Sequence, residues 1–228
     1  MSEAEVRETV VAVARSWIGR NEADGTHKRI IDIYNGIKPL PVGYKLNYSD
    51  AWCAATVSAA AQVCGYTDII FPECSCTRML ALYQRAGRWK EDDSYIPAPG
   101  DLIMYGWADS GAGDYAGAPD HVGIVECCNG SIIMVIEGNY SKRVMRRTVT
   151  VNARYIRGYC LPDYASKVTT PTYSDVYPDD YYADDLALLT KHGIITGYPD
   201  GTFRPDEVPT RAQLASVAAR LARLVGIK

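Results

Sequence analysis

The sequence predicts an α+β protein whose helices come first and whose antiparallel strands follow, with a small, mainly helical unit at the C-terminal end. Apolar residues in the first third of the chain repeat at spacings of three and four, which is typical of amphipathic helices. Short apolar runs separated by Gly, Asn, Asp and Pro clusters then fill residues 101–160. Because the helices precede the strands instead of alternating with them, a parallel α/β sheet is not expected.

The composition argues against several classes of protein. Of the 228 residues, 47% are apolar and 22% are charged, which is typical of globular proteins and argues against disorder. The formal net charge is −3 and no basic stripe stands out, so nucleic acid is not an expected partner. No apolar run approaches the roughly 20 residues that cross a bilayer, so membrane insertion is not expected.

The start of the chain predicts the compartment in which it is made. Residues 1–15 lack a basic n-region, and the apolar run over residues 9–14 is shorter than a secretory core usually is, so no signal peptide is predicted. Seven Cys without a repeated spacing favour reduced thiols over a disulfide framework. We therefore expect synthesis in the cytoplasm without a signal peptide.

Helix-forming patterns occupy the first part of the chain. The run AWCAATVSAAAQVC is rich in Ala, has Ser49 or Asp50 available as its N-cap and meets Gly65 at its far end. It predicts a helix over residues 51–64 with Cys53 in its first turn. Further helices are predicted over residues 3–18, closed by Gly19, over residues 27–34, with Thr26 as N-cap, and over residues 77–85, closed by Gly87.

Strand-like runs and a second unit fill the rest of the chain. The predicted strands are residues 101–105, 121–127, 132–137, 147–151 and 155–160. Residues 163–172 lose apolar periodicity and form the predicted linker. Beyond the linker, helices are predicted over residues 183–192 and 210–224, with the turn-rich sequence GYPDGTFRP between them.

Cys53 is the candidate nucleophile. A helix N-terminus lowers the pKa of a thiol through the helix dipole and the free backbone N–H groups. It also directs the residue's own N–H towards any oxyanion that forms on an attacked carbonyl. The alternative is that Cys53 is a small buried apolar residue, as is expected of Cys64. The catalytic interpretation therefore requires a base nearby.

His121 is the candidate base among the three His of the chain. It opens the run HVGIVE directly after the polar turn at residues 118–120, so its ring can face a cleft at a sheet edge. A surface His at the start of a strand would show the same pattern. His27 and His192 are interpreted as solvated surface residues.

A general-base His needs a partner that fixes its orientation, and Glu137 and Asn139 at the end of the next strand are the candidates. If the two strands form a hairpin, His121 shares a face with both residues only when paired residue numbers sum to an even value. A three-residue loop over residues 129–131, with Gly130 left-handed, gives that pairing, whereas a two-residue Asn-Gly turn does not. The catalytic interpretation therefore predicts an odd loop or a bulge.

Several motifs in order resemble the CHAP family of cysteine- and histidine-dependent amidohydrolases and peptidases, over residues 5–162. The motifs are WCAA at 52–55, PGDLI at 99–103, HVGIV at 121–125 and EGN at 137–139. The resemblance implies a papain-like (NlpC/P60-type) α+β fold and cleavage of an amide bond in peptidoglycan, by an N-acetylmuramoyl-L-alanine amidase or an endopeptidase reaction.

The same resemblance implies a role for each site residue. It implies that Cys53 is the nucleophile, that His121 is the base and that Glu137 orients the base. Asn139 is implied to be a supporting polar residue, and analogy with papain-like enzymes makes Asn47 a second oxyanion donor.

No metal and no cofactor are expected. Some CHAP domains bind Ca²⁺ through aspartates shortly before the nucleophile, but only Asn47 and Asp50 stand there. These are too few for the roughly six to eight oxygen ligands that calcium prefers. The CSC run at 74–76 and the CC run at 127–128 could supply zinc thiolates, but neither has the usual ligand spacing. We interpret these four cysteines as buried thiols.

Residues 173–224 resemble a single S-layer homology module. The motifs are YSDV at 173–176, GIITGYPDGTFRP at 193–205 and TRAQ at 210–213. The resemblance implies two main helices and binding to an anionic secondary polysaccharide of Gram-positive walls. The Trp that is usual in the family appears here as Tyr182, and the Glu that follows Thr-Arg-Ala appears as Gln213.

The chemistry of Arg211 suits a wall ligand, because a planar guanidinium can pair a sugar-linked carboxylate bidentately. The alternative is that Thr210 is only an N-cap and Arg211 a solvated first-turn residue. The other candidates for wall binding are Asp175, Tyr182 and Tyr198. Modules of this family commonly come in threes, so a homo-oligomer formed through the C-terminal module is left open.

The leading hypothesis is a modular peptidoglycan hydrolase with residues 1–162 as the CHAP domain, 163–172 as the linker and 173–228 as the wall-binding module. Its expected partners are peptidoglycan and the secondary wall polysaccharide. A phage or prophage endolysin that reaches the bacterial wall after release fits the predicted lack of a signal peptide, as does a fragment of a secreted autolysin. The competing hypothesis is a non-catalytic wall-binding or structural protein with an idle Cys-His site.

Overall fold

The computed structural model describes residues 1–110, 116–168, 173–177 and 179–226. The chain divides into two compact units, one of residues 7–163 and one of residues 1–6 with 164–228. The larger unit has helices followed by antiparallel strands, and the smaller unit is mainly helical, so the predicted α+β class is confirmed. No helix in the described ranges is long and apolar enough to cross a membrane.

The helices lie where the sequence predicts them, but one predicted N-cap moves. They are α1 (Glu3–Ser16), α2 (Lys28–Asn35), α3 (Cys53–Cys64) and α4 (Cys76–Arg85). The prediction of Ser49 or Asp50 as the N-cap of α3 is wrong, because the helix begins at Cys53 directly after Trp52. The Asp50 carboxylate instead accepts a hydrogen bond from the backbone N–H of Asn47 at 2.8 Å. The first residue of α3 therefore carries the candidate nucleophile.

The start of α2 also differs from its prediction. His27, and not Thr26, occupies the N-cap position. The prediction of His27 as a surface residue is wrong, since its side chain is buried, with Nε2 2.9 Å from the carbonyl oxygen of Tyr48. Its ring also packs on Trp52, with the ring centroids 5.6 Å apart. His192 is exposed, as predicted.

The described part of the chain forms one antiparallel sheet of six strands in the order β1-β6-β2-β3-β4-β5. The short strand β1 (Trp89–Lys90) was not predicted, and it pairs with the last strand of the sheet. The helix α3 packs on β3 and β4. The other strands are β2 (Leu102–Tyr105), β3 (His121–Asn129), β4 (Ile132–Tyr140), β5 (Arg143–Thr150) and β6 (Ile156–Cys160).

The hairpin of β3 and β4 contains a bulge that sets the register of the candidate site. At the turn, Asn129 pairs with Ile132, so the loop has two residues and not three. The register then shifts between Val125 and Cys127, and Val125 pairs with Val135. The predicted bulge is therefore confirmed, and the pairing beyond it has the even sum that brings the candidate base and its carboxylate to one face.

The bulged residue, Glu126, is held by charges from two elements. Its buried carboxylate accepts hydrogen bonds from Arg146 Nε at 2.6 Å and from Arg15 Nε at 2.7 Å. The hydrogen bonds from Arg146 and then from Arg15 lower the pKa of Glu126. The bulge is therefore fixed to β5 on one side and to α1 on the other.

Two glycines allow close approach around the site. A Cβ at Gly123 would lie 2.8 Å from Cγ of Glu137, and a Cβ at Gly138 would fall on the side chain of Thr56 in α3. Both positions therefore require a residue without a side chain. As a result, the Glu137 side chain can lie against β3, and β4 can pack closely on α3.

The smaller unit contains α5 (Ala183–Lys191) and α6 (Arg211–Leu224), close to the two predicted helices. Tyr173 lies buried at its centre, where the hydroxyl accepts a hydrogen bond from the backbone N–H of Gly197 at 2.9 Å. The predicted linker begins with structured residues, because Tyr164 is fully buried and residues Tyr164–Lys167 form a 3₁₀ helix. Residues 169–172 of that linker lie outside the described residues.

Candidate active site

Cys53 lies at the start of a helix, where the sequence predicts the nucleophile. As the first residue of α3 it sits where the helix dipole and free N–H groups stabilise a negative charge. The residue is only 6% exposed, and its Sγ lies 3.6 Å from Sγ of Cys76, the first residue of α4. The thiol is therefore in a polar contact and not among hydrocarbon groups alone.

His121 opens β3 and is held by the buried Glu137. The distance between His121 Nε2 and Glu137 Oε2 is 3.0 Å, and the Glu137 side chain is completely buried. Since Nε2 is engaged by the carboxylate, Nδ1 is the ring nitrogen left for the Cys53 sulfur. This division of the two nitrogens is what a base with a fixed orientation requires.

Arg147, on β5, lies next to the second oxygen of Glu137. Its Nε is 3.2 Å from Glu137 Oε1, and the guanidinium lies over the rings of Tyr140 at 4.1 Å, Tyr105 at 5.0 Å and Trp107 at 5.0 Å. A buried carboxylate is costly unless it is paired, so Arg147 supplies the charge that Glu137 needs. The aromatic rings hold the guanidinium in place through cation–π contacts.

The electrostatics of the site favour a thiolate beside an imidazolium. A hydrogen bond with Cys76 lowers the pKa of Cys53 well below its usual value, and interaction with His121 lowers it further, although burial opposes both. Burial by itself lowers the pKa of His121, but hydrogen bonds to Cys53 and Glu137 outweigh it and raise the pKa to about 9. At neutral pH the pair is therefore poised as thiolate and imidazolium.

Asn139 lies beside the histidine, whereas Asn47 lies in its own loop. Asn139 adopts a left-handed backbone conformation with φ of 57° and, with Trp107, His121, Tyr140 and Arg147, it lines an open cavity at the site. The exposed Asn47 donates from its side-chain amide to Asp50 at 3.3 Å. None of the contacts described for Asn47 reaches Cys53, so its role as an oxyanion donor stays a prediction.

Sequence reasoning missed two neighbours of the predicted residues. Cys76 is buried, as predicted, but no pattern in the sequence indicates that it meets Cys53. Arg147 lies in a predicted strand, and the diagonal from Glu137 to Arg147 follows only once the pairing of Val135 with Arg147 is known. A correct register for β4 and β5 could have found Arg147, whereas nothing in the local pattern points to Cys76.

The four cysteines considered for zinc differ in their burial. Cys76 is buried, and Cys74, Cys127 and Cys128 are half-buried. Within the described residues, no group of three or more His, Cys, Asp or Glu side chains is arranged to hold a metal ion.

In the smaller unit, two of the predicted wall-binding residues, Asp175 and Tyr182, make hydrogen bonds within the unit. The Asp175 carboxylate accepts the backbone N–H of Phe203 at 2.8 Å and of Arg204 at 2.7 Å, and the half-buried Tyr182 donates to Asp180 at 3.1 Å. These bonds hold local loops together. Of the candidates, Tyr198 lines a groove between residues 195–209 and α6, together with Phe203, Arg204, Gln213 and Arg220.

The start of α6 is a capping box. Thr210 Oγ1 accepts the backbone N–H of Gln213 at 3.2 Å, and Gln213 Oε1 accepts the backbone N–H of Thr210 at 2.7 Å. Thr210 therefore acts as the N-cap that the sequence allowed as an alternative. Arg211 is exposed in the first turn of the helix.

A helix-start cysteine beside a carboxylate-bound histidine, on an α+β fold, is suited to nucleophilic catalysis. The CHAP domain model matches residues 43–139, and the S-layer homology domain model matches residues 172–215. Family models therefore match both stretches of the chain in which the sequence resembles these two families.

Two curated proteins of Acetivibrio thermocellus are similar to short stretches of the chain. "Cell surface glycoprotein 1" is 41% identical over 54 residues, which are 24% of this chain and 2% of that protein. "Cellulosome-anchoring protein" is 34% identical over 62 residues, which are 27% of this chain and 14% of that protein. The chain thus spans only a small part of the length of the curated relatives it matches.

Two solved structures are also similar to the chain. "The crystal structure of Ly7917" has a TM-score of 0.40 and 14% identity, and the match covers 68% of this chain and 62% of that one. The structure of Ly7917 "with the hydrolyzing product of MDP" has a TM-score of 0.33 and 19% identity, and it covers 48% and 53%.

Replacing Glu137 with Gln should lower the pKa of His121 from about 9 by about one unit or more, because the substitution removes the negative charge that favours the imidazolium. An NMR titration of the ring C–H signals measures this directly, since the chain has only three His. The exposed His192 provides an internal reference that should not move. An unchanged His121 titration would show that Glu137 does not support its charge.

Proposed function

We propose that this chain hydrolyses an amide bond in peptidoglycan and that its C-terminal module holds it on the cell wall. The observation that carries the proposal is the position of Cys53, at the start of α3 and in electrostatic contact with an imidazole that Glu137 fixes. The matches to a CHAP domain and an S-layer homology domain support the substrate and the anchoring. We assign residues 1–162 to the hydrolase, 163–172 to a linker and 173–228 to the wall-binding module.

The proposed reaction follows from the resting thiolate and imidazolium. The Cys53 thiolate attacks the amide carbonyl, and its backbone N–H, free at the helix start, stabilises the oxyanion. His121 donates its proton to the leaving amine, and a thioester to Cys53 remains. His121 then takes a proton from water, which attacks the thioester and releases the acid product and the thiolate. Asn139 is proposed to support the histidine, and Asn47 to contribute a second oxyanion donor.

We propose that the exposed Arg211 contacts an anionic wall polysaccharide, with Tyr198, Tyr182, Asp175 and Thr210 in supporting positions. Tethering raises the local concentration of the hydrolase near its substrate without any change in its active site. An endolysin role, with synthesis in the cytoplasm and later release to the wall, remains a prediction from the sequence, as does a homo-oligomer. The competing proposal is a wall-binding protein with an idle site. Replacing Cys53 with Ala, described next, distinguishes it from a hydrolase.

Replacing Cys53 with Ala should abolish hydrolysis of purified walls, with a loss of about 10³-fold or more, because no other group supplies the nucleophile. Turbidity measures the hydrolysis, and pelleting with walls measures the binding, which should persist. Cys64→Ala, at the far end of the same helix, is the matched control and should stay active. Undiminished lysis by the Cys53 variant would leave only the non-catalytic alternative. Mass spectrometry of the products distinguishes amidase from endopeptidase by the new amino terminus.

The rate of wall hydrolysis should depend on pH as a bell, because the reaction needs a charged Cys53 and a charged His121 together. Raising the pH through about 9 removes the proton that His121 gives to the leaving amine, so activity should fall on that side. Lowering the pH through the depressed pKa of Cys53 protonates the nucleophile and ends activity on the acid side. A rate that kept rising with pH through the alkaline range would contradict the proposed roles.

Replacing Arg211 with Gln should weaken wall binding by about tenfold or more, the order expected for the loss of one charge-assisted hydrogen bond. Pelleting with purified walls at increasing salt measures the affinity, and the difference from the native chain should shrink as salt screens the charge. Arg223→Gln, an exposed arginine at the other end of α6, is the matched control. Equal binding by all three proteins would remove Arg211 from the proposed wall contact.

A further inference from the structure

The sulfur atoms of Cys53 and Cys76 are in contact at the site, and the reaction proposed above assigns no role to this contact. They lie 3.6 Å apart, and both residues are buried, at 6% and 8% exposure. Cys53 is the first residue of α3 and Cys76 is the first residue of α4, so the N-termini of two helices meet at this pair of sulfurs. Both helix dipoles therefore favour negative charge at the same place.

The chain before α4 fixes the position of Cys76 relative to α3. The buried Glu73 carboxylate accepts hydrogen bonds from the backbone N–H groups of Cys74 at 2.8 Å and Ser75 at 3.3 Å. The Ser58 hydroxyl of α3 donates to the carbonyl oxygen of Glu73 at 2.7 Å and accepts from its N–H at 2.8 Å. These bonds join the segment before α4 to α3 three residues before Cys76, so the sulfur contact is a built feature of the fold.

Electrostatics decide which sulfur keeps its proton. Two thiolates at this distance would repel each other, so only one of the pair ionises near neutral pH. Cys53 has the positive imidazole of His121 beside it. Cys76 instead has its pKa raised by its contact with Cys53, by burial and by the negative charge of Asp120. The proton therefore sits on Cys76, and its S–H is available as a donor.

We propose that Cys76 is a further residue of the catalytic machinery, which donates its S–H to the Cys53 thiolate and holds that sulfur ionised and oriented for attack. The inference rests on the proposed role of Cys53 as nucleophile. A hydrogen bond to a charged acceptor is stronger than one between neutral groups, and burial of the pair strengthens it further. Cys76 thus stabilises the Cys53 thiolate on one side, and His121 stabilises it on the other.

The test measures Cys53 itself in the absence of peptidoglycan. The rate of alkylation by iodoacetamide is followed against pH, and tandem mass spectrometry assigns the label to Cys53 among the cysteines of the same tryptic peptide. Cys76→Ala removes the donor, and Cys76→Ser keeps one. Cys64→Ala is the control for loss of a cysteine elsewhere in α3. Cys76→Val, close to Cys in size and without a donor, replaces the alanine variant if a cavity there prevents folding, which thermal unfolding reports.

In Cys76→Ala, the midpoint of the Cys53 alkylation profile should rise by about one pH unit or more, since the thiolate loses a hydrogen bond to a charged group. On the acid side of the pH profile, where the fraction of thiolate limits the rate, wall hydrolysis should fall by about tenfold for the same reason. Cys76→Ser should restore both, because its hydroxyl also donates. Cys64→Ala should match the native chain.

A folded Cys76→Ala or Cys76→Val variant with the native midpoint would overturn the inference. A failure of the proposed function has a different signature, because the alkylation profile does not depend on the substrate. If the native chain left walls intact while the midpoint still rose in Cys76→Ala, the role of Cys76 at the sulfur would stand, and the assignment as a peptidoglycan hydrolase would fall.

Discussion

The burial of the Glu137 carboxylate is the constraint on which the candidate site depends. Burying a carboxylate is costly unless positive groups lie beside it, and here they are His121 at one oxygen and Arg147 at the other. The charge on His121 in turn favours a thiolate at Cys53. Positive and negative groups therefore alternate along the site, in the order Arg147, Glu137, His121 and Cys53. Each member is stable in its charged form because its neighbours are present.

Much of this arrangement could be predicted from the sequence, because it depends on local patterns. The Ala-rich run predicted α3 and the place of Cys53 in its first turn. Placing His121 and Glu137 on one face of the hairpin required either an odd loop or a bulge, and the structure has the bulge. The helix start was less predictable. Asp50 has the chemistry of an N-cap, but its carboxylate closes the loop at Asn47, and α3 begins without a side-chain cap. Competing local hydrogen bonds of similar strength decide such a choice.

The contacts that sequence reasoning missed are long-range. Cys76 meets Cys53 because Glu73 and Ser58 join two helix starts, and no periodicity in the intervening loop encodes that meeting. The polar segment around His27 predicts a solvated side chain, yet its ring packs on Trp52. A polar side chain can be buried wherever backbone carbonyl groups are available to it, and only the folded chain shows where those carbonyl groups lie.

In the smaller unit, Gln213 stands where the family usually has Glu and still completes the capping box, since an amide oxygen accepts the backbone N–H as a carboxylate does. The start of α6 is thus preserved while one negative charge is removed beside Arg211. Asp175 keeps the residue type that the family motif has, but its carboxylate accepts a hydrogen bond from the backbone N–H of Phe203. The motif residues Gln213 and Asp175 therefore make hydrogen bonds that hold the local backbone, whereas their contact with a ligand stays a prediction.

The salt bridge from Arg15 to the bulged Glu126 ties the hairpin that carries the candidate site to the amino-terminal helix. A protease that trimmed the chain past this arginine would remove no group from the cleft. It would nevertheless leave the bulge with Arg146 as its described counter-charge, and the strand that presents the imidazole would lose one of its two anchors. Integrity of the first helix is therefore a condition for correct alignment of a centre that lies in another part of the sequence.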